Sequence, residues 1–260
     1  MRLIHFIKTL RRPKVISGID LYLHTGMPKT GTTAIQSFLA YNREQLKKRF
    51  GVLYPDCGVP KNQHTALVKS MAANKFPWTH FNESIEAFDP ENYIEQVVEE
   101  CKQNCCNTVV LSSEFFWAAP AMQSDLPFHT ADKENYEYIE SFISSCKNLF
   151  DAFERTRVLV YLRRQDCWID SFFNQQLKDG FDIPDPEQLL ELKNYLLYYQ
   201  NLRIWSKYFG KDNIIARVYD DDGNRDVLSD FISIFGFKRF KNHPRISMLQ
   251  IHAFHYCLLK

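Results

Sequence analysis

Apolar residues in this chain fall into short continuous runs, separated by segments where they recur every three or four positions. Ile19-Asp20-Leu21-Tyr22-Leu23-His24 reads as a buried strand, and Ala34, Ile35, Phe38 and Leu39 behind it predict a helix over about residues 32–48. A helical stretch from Pro90 to Lys102 precedes a second strand, Thr108 to Ser113. A further helix runs from Lys133 to about Phe150. The apolar strand 157–163 leads into a helix over 166–179, and Asp182-Ile183-Pro184-Asp185-Pro186 breaks the chain before a long helix over 187–208. A last strand, 214–219, passes a turn at Asp221-Asp222-Gly223-Asn224 to a helix ending at Gly236. Residues 51–64, rich in Gly and Pro, read as loop, and 118–132 as an irregular insertion. Strands alternating with helices predict an α/β fold in three layers, with helices on both faces of a mostly parallel sheet. No repeat, low-complexity tract or dividing linker interrupts residues 19–260, which read as a single domain behind a basic N-terminal arm over 1–18.

Composition narrows the function classes more than it names one. Lys plus Arg number 32 and Asp plus Glu 31, for a net charge of +1 on 260 residues. A general nucleic-acid binder is thereby excluded, and any affinity for anions must be local. No run of about 18 apolar residues exists to span a membrane. The apolar patch before Lys8, Arg11 and Arg12 is too short for a signal peptide. Seven cysteines, at 57, 101, 105, 106, 146, 167 and 257, form no regular framework and no paired Cys-x-x-Cys metal pattern. An odd, unpatterned set of thiols suggests a reducing, cytoplasmic setting.

The candidate chemistry lies between the first strand and its helix. Thr25 to Thr33 is a loop rich in Gly, Thr and Lys that opens directly onto a helix N-terminus, where free backbone N–H groups and the helix dipole attract anions. Gly26 and Gly31 have the separation of the nucleoside-triphosphate P-loop, G-x-x-x-x-G-K-[ST]. Thr32 stands where that motif requires Lys, and the loop's lysine, Lys29, sits inside Pro28-Lys29-Thr30-Gly31-Thr32-Thr33. A kinase or ATPase would also need a strand-end Asp for Mg²⁺, whereas the strand 108–111 ends in Ser112-Ser113-Glu114.

PKTGTT in this setting resembles the 5′-phosphosulfate loop of the sulfotransferases, which use 3′-phosphoadenosine 5′-phosphosulfate (PAPS). In that family an Arg at a later strand end and a Ser eight positions on hold the 3′-phosphate. Here Arg163 ends the strand 157–163 and Ser171 follows at that offset, with Arg164 as the alternative to Arg163. The resemblance implies a P-loop-type α/β domain and PAPS as co-substrate, with no metal required. It implies nucleotide binding by Pro28, Lys29, Thr30, Gly31, Thr32, Thr33, Arg163 and Ser171. Lys29 would stabilise charge on the leaving phosphate, and Glu114, with His64 as the second candidate, would take the acceptor's proton. The S-S-E strand end beside PKTGTT is similar to the carbohydrate-acting members. It points to a saccharide or another small hydroxyl- or amine-bearing acceptor, which the aromatics Trp78, Phe81, Phe115, Phe116 and Trp117 would stack against if they are not core. A P-loop kinase using Mg-ATP, or an inactive nucleotide-binding module, are the competing readings. Oligomeric state is not legible.

Overall fold

A computed structural model describes residues 16–56, 62–72, 88–118, 133–180, 189, 196–219 and 226–236. The expected N-terminal arm, the 118–132 insertion and the turn at 221–224 fall almost entirely outside these residues. Five strands, β1 (Ile16–His24), β2 (Val52–Leu53), β3 (Thr108–Ser112), β4 (Phe153–Leu162) and β5 (Ile214–Val218), form one sheet in the order β2-β3-β1-β4-β5. Every pairing in it is parallel.

A parallel strand buries both faces, which is why these segments read as continuous apolar runs. Leu21 and Leu23 of β1, Val109 and Leu111 of β3, and Val158 and Val160 of β4 face one side. There they meet α4 (Pro90–Gln103), α6 (Lys133–Phe150) and α8 (Tyr198–Phe209) through Val97, Phe142, Trp205 and Phe209. Val110, Leu159 and Tyr161 face the other side and pack on Ile35, Phe38 and Leu39 of α1 (Thr32–Tyr41) and on Phe231 of α9 (Val227–Ile234). The period-2 alternation of the strands thus assembles the three layers. Phe115, Phe116 and Trp117, in the short α5 (Phe115–Ala118), belong to this core. Trp78 and Phe81 lie outside the described residues.

Several boundaries differ from the sequence reading. The helix expected over 32–48 is two helices, α1 and α2 (Arg43–Phe50), because Asn42 between them turns its side chain back on Phe38 O at 2.8 Å, competing with the backbone ladder. Gly51, at φ 63, ends α2 in a left-handed cap and returns the chain at once into β2, two residues inside the stretch read as loop. A further helix, α3 (Thr65–Ala72), carries no motif that announced it. β1 and β4 begin earlier than their apolar runs; exposed Glu154 and Arg155 hide the start of β4. Of the helix expected over 187–208, the described part is α8, which starts at Tyr198 after Leu197, whose ψ of 61 is not helical; residues 187–188 and 190–195 lie outside the described residues.

Chain order places the site. From the central β1 the chain runs outward to β2, returns to β3 beside β1, then crosses to β4 on the other side. The carboxyl ends of β1, β3 and β4 therefore surround the point where the winding reverses, the place where open α/β sheets bind ligands.

Candidate functional site

The loop leaves β1 anchored on both sides: the Thr25 amide donates to Leu159 O of β4 at 2.9 Å, and the Ser113 amide of the β3 end to His24 O at 3.1 Å. Both loop glycines are required by space. A Cβ on Gly26 would sit 2.5 Å from the Thr32 methyl, and one on Gly31, at φ 76, 2.9 Å from Val227. Lys29 has φ 64, a left-handed conformation that costs a side-chain-bearing residue about 1 kcal/mol. The Thr30 hydroxyl donates to Met27 O at 2.6 Å, pinning the turn from inside. Gly31 caps α1, and its carbonyl accepts from the Ala34 and Ile35 amides, so the amides of Gly31, Thr32 and Thr33 precede the first intrahelical bond. The Thr33 side chain is exposed there, while Thr32 is buried.

β4 delivers Arg163 to the same place. Its guanidinium donates to Lys29 O at 3.2 Å and lies 5.5 Å from the Tyr219 ring centre, while the Tyr198 hydroxyl holds its carbonyl at 2.8 Å. Arg164 faces solvent, bonded to Asp166 at 2.7 Å, at the N-terminus of α7 (Gln165–Lys178). The two arginines thus differ in setting: Arg163, favoured by its offset to Ser171, reaches the loop, and its alternative Arg164 does not. Trp168 of α7 is fully buried and donates its indole N–H to Pro28 O at 2.8 Å. Lys29, Arg163 and Ser171 line one open cavity of about 550 Å³ with Asn174, Gln175 and Lys178, within the usual size of ligand sites. Asp170 is the carboxylate on its wall.

Electrostatics mark this cavity as a place for anions. Partial burial lowers the Lys29 pKa, and Lys178 and Arg163 push in the same direction; Glu114 and Asp179 partly oppose them. Cations crowded together in this way gain from a bound anion. The Lys29 ammonium donates to Gln175 Oε1 at 3.1 Å.

Glu114 and His64 lie away from the cavity wall. Glu114, just past β3, accepts from the Thr32 hydroxyl at 3.2 Å, which ties it to the first turn of α1. His64 is 1% exposed, and its Nδ1 accepts from the Ser112 amide at 3.1 Å. Nδ1 also lies 3.2 Å from Ser112 O, so the Ser112 backbone can serve either neutral tautomer of the ring. Burial pushes the His64 pKa down to about 4. His24, also fully buried, bonds Ser112 Oγ through Nδ1 at 2.8 Å, and burial lowers its pKa to about 3. Ser112 Oγ also accepts from Gln36 of α1 at 3.3 Å, so one serine joins both histidines and α1 beneath the loop.

Sequence reasoning missed Trp168, Asn174, Gln175 and Lys178. For Asn174, Gln175 and Lys178 the signal was the polar stripe at 167, 170, 171, 174, 175 and 178, spaced as one helical face that includes Ser171; Trp168, on the buried face, carried none.

No family model matches the sequence. An uncharacterized protein of Archaeoglobus fulgidus is 34% identical over 85 residues, 31% of this chain; the match spans 22% of that protein's length. Among solved structures, a sulfotransferase from Alicyclobacillus acidocaldarius aligns over 85% of this chain and 82% of its own, at 12% identity and a TM-score of 0.50. A sulfotransferase domain from the curacin biosynthetic pathway aligns over 86% and 75%, at 12% identity and a TM-score of 0.43. The all-parallel sheet with helices on both faces is accordingly a sulfotransferase-like fold, shared with the Alicyclobacillus protein.

Proposed function

We propose that this protein moves a sulfuryl group from PAPS to a hydroxyl or amine of a saccharide or another small acceptor. One observation carries the reading. Lys29 and Arg163, from strand ends 134 positions apart, are joined by a 3.2 Å hydrogen bond and share a cavity wall with Ser171. The residues suit a nucleotide with two anionic ends: three cations, Lys29, Arg163 and Lys178, face the cavity against Asp170.

PAPS, when bound, supplies a sulfuryl group activated by its bond to phosphate. Each residue then has a chemical task. The amides of Gly31 to Thr33 and the dipole of α1 hold the 5′-phosphate charge, with Pro28, Thr30 and Thr32 shaping the loop around it. The Lys29 ammonium donates to the oxygen that gains charge as the sulfur–oxygen bond breaks. Arg163, helped by Ser171, clamps the 3′-phosphate with charge-assisted bonds. Glu114, oriented by the Thr32 hydroxyl, takes the proton of the attacking hydroxyl. His64 is neutral at physiological pH, as a base must be, but its ring is bound to Ser112 within the core, which favours Glu114. No step in this scheme requires a metal. A cytoplasmic location and a single catalytic domain behind a basic arm belong to the same proposal.

Thermal unfolding tests it, with adenosine 3′,5′-bisphosphate, ADP or Mg-ATP on wild type and Arg163→Ala. A ligand at a hundredfold excess over Kd stabilises by about 2.7 kcal/mol. The expected result is a shift with the bisphosphate that Arg163→Ala removes, followed by label transfer from PAPS to a saccharide panel. Stabilisation by Mg-ATP without any by the bisphosphate would overturn the reading in favour of a kinase or ATPase.

A further inference from the structure

We infer that Gln175 is a positioning residue for Lys29, holding its ammonium over the cavity as a full, unneutralised charge. The functional consequence rests on the role proposed above for Lys29. The contact itself does not.

Lys29 is gripped at both ends by groups from β4 and α7. Its carbonyl accepts from Arg163, fixing the backbone at φ 64, and the preceding carbonyl, Pro28 O, accepts from Trp168. Four methylenes still separate that fixed backbone from the ammonium, and a lysine stem holds about 2 kcal/mol of rotamer entropy. The Gln175 amide oxygen, 3.1 Å from Nζ, is what restrains it. The other end of that amide donates to Asp179 Oδ1 at 2.9 Å. This second bond decides which end of the amide faces Lys29, because the reversed amide would set its NH₂ against an ammonium and waste the Asp179 acceptor.

The choice of an uncharged acceptor is informative. A carboxylate at 175 would hold the ammonium as an ion pair, in competition with a phosphate or sulfuryl oxygen. An amide holds it in place and leaves the charge for the ligand. The charged groups acting on Lys29 are Lys178 and Asp179 from the end of α7, Arg163 from the end of β4, and Glu114 from the end of β3, with Asp170 on the cavity wall.

Gln175→Leu and Gln175→Glu test the inference on the full chain. With labelled PAPS, Gln175→Leu is expected to lower kcat about 10- to 100-fold while KM for PAPS stays within about threefold, the pattern of a misplaced group rather than a lost binding contact. Gln175→Glu is expected to weaken binding of adenosine 3′,5′-bisphosphate about tenfold or more. Titration of Lys29 by NMR, after ¹³C-methylation of the lysines, gives a readout that needs no turnover. Gln175→Glu should raise its pKa above that of wild type, whereas a residue that merely completes the helix surface would leave it unmoved. Wild-type titration and kinetics retained in both variants would overturn the inference. Failure of wild type to bind the bisphosphate would instead strike the sulfuryl-transfer reading, with the Lys29 titration still deciding the contact.

Discussion

Acidification should unfold this protein through two histidines that never touch solvent. His24 and His64 are held neutral by burial, with pKa values near 3 and 4 against 6.5 for an exposed imidazole. Below pH 6.5 the unfolded chain binds a proton at each and the native state does not, so stability falls with pH until the native rings themselves protonate. Each histidine contributes a slope of about 1.4 kcal/mol per pH unit in that window. The unfolded ring is half protonated at pH 6.5 and nearly fully so at pH 5, so the loss across that window is about 1.6 kcal/mol per ring and about 3 for both, a large part of the roughly 5–15 kcal/mol that holds an ordinary domain. The assay is urea unfolding at half-unit steps across this range for wild type, His24→Gln and His64→Gln. The variants will differ at neutral pH for packing reasons, so the slope is the quantity of interest. Each substitution should reduce it by about one histidine's share, while the chain's other histidines contribute equally to all three proteins. Slopes in both variants equal to that of wild type would refute the assignment of these rings as buried and neutral.

Gly26→Ala should destabilise the protein and abolish bisphosphate binding, because the new methyl would lie 2.5 Å from Thr32 Cγ2 on the first turn of α1; thermal unfolding with and without ligand checks both effects. Affinity for the bisphosphate should also fall as pH rises, from a lower pH than an ordinary lysine would give. The Lys29 pKa is depressed, and a bound anion favours its charged form, so affinity is lost as free Lys29 deprotonates. Calorimetry between pH 7 and 10 on wild type and Lys29→Met would show the decline in the first and its absence in the second.

The loop and Arg163 were legible because each is a contiguous signal: an apolar run that stops, followed by residues whose chemistry suits an anion. The layer order was legible for the same reason, since strands buried on both faces show no polar interruption. What escaped depended on contacts across the sheet. Gln175 reaches Lys29 from 146 positions away and Trp168 reaches Pro28 from 140. One sequence displays α7's polar stripe but not what the stripe faces. The offset to Ser171 already favoured Arg163 over Arg164, and the end of β4 shows the physical difference between them: Leu162 is the last strand residue, Arg163 still reaches the loop, and Arg164 has already turned outward to Asp166. β2 escaped because two residues leave no period to read.

Trp168 gives the loop a foundation that does not belong to the loop. Its ring is sunk in the core, stacked on Phe172 with centroids 4.7 Å apart, while its N–H holds Pro28 O. Residues 25–33 are therefore not a cassette. Grafted onto another α/β scaffold without this tryptophan, the peptide would carry its glycines and its lysine but not the tie that holds Pro28 against the neighbouring helix. The heritable unit is the loop together with the buried side of the helix beneath it, and an engineer who wishes to move one must move both.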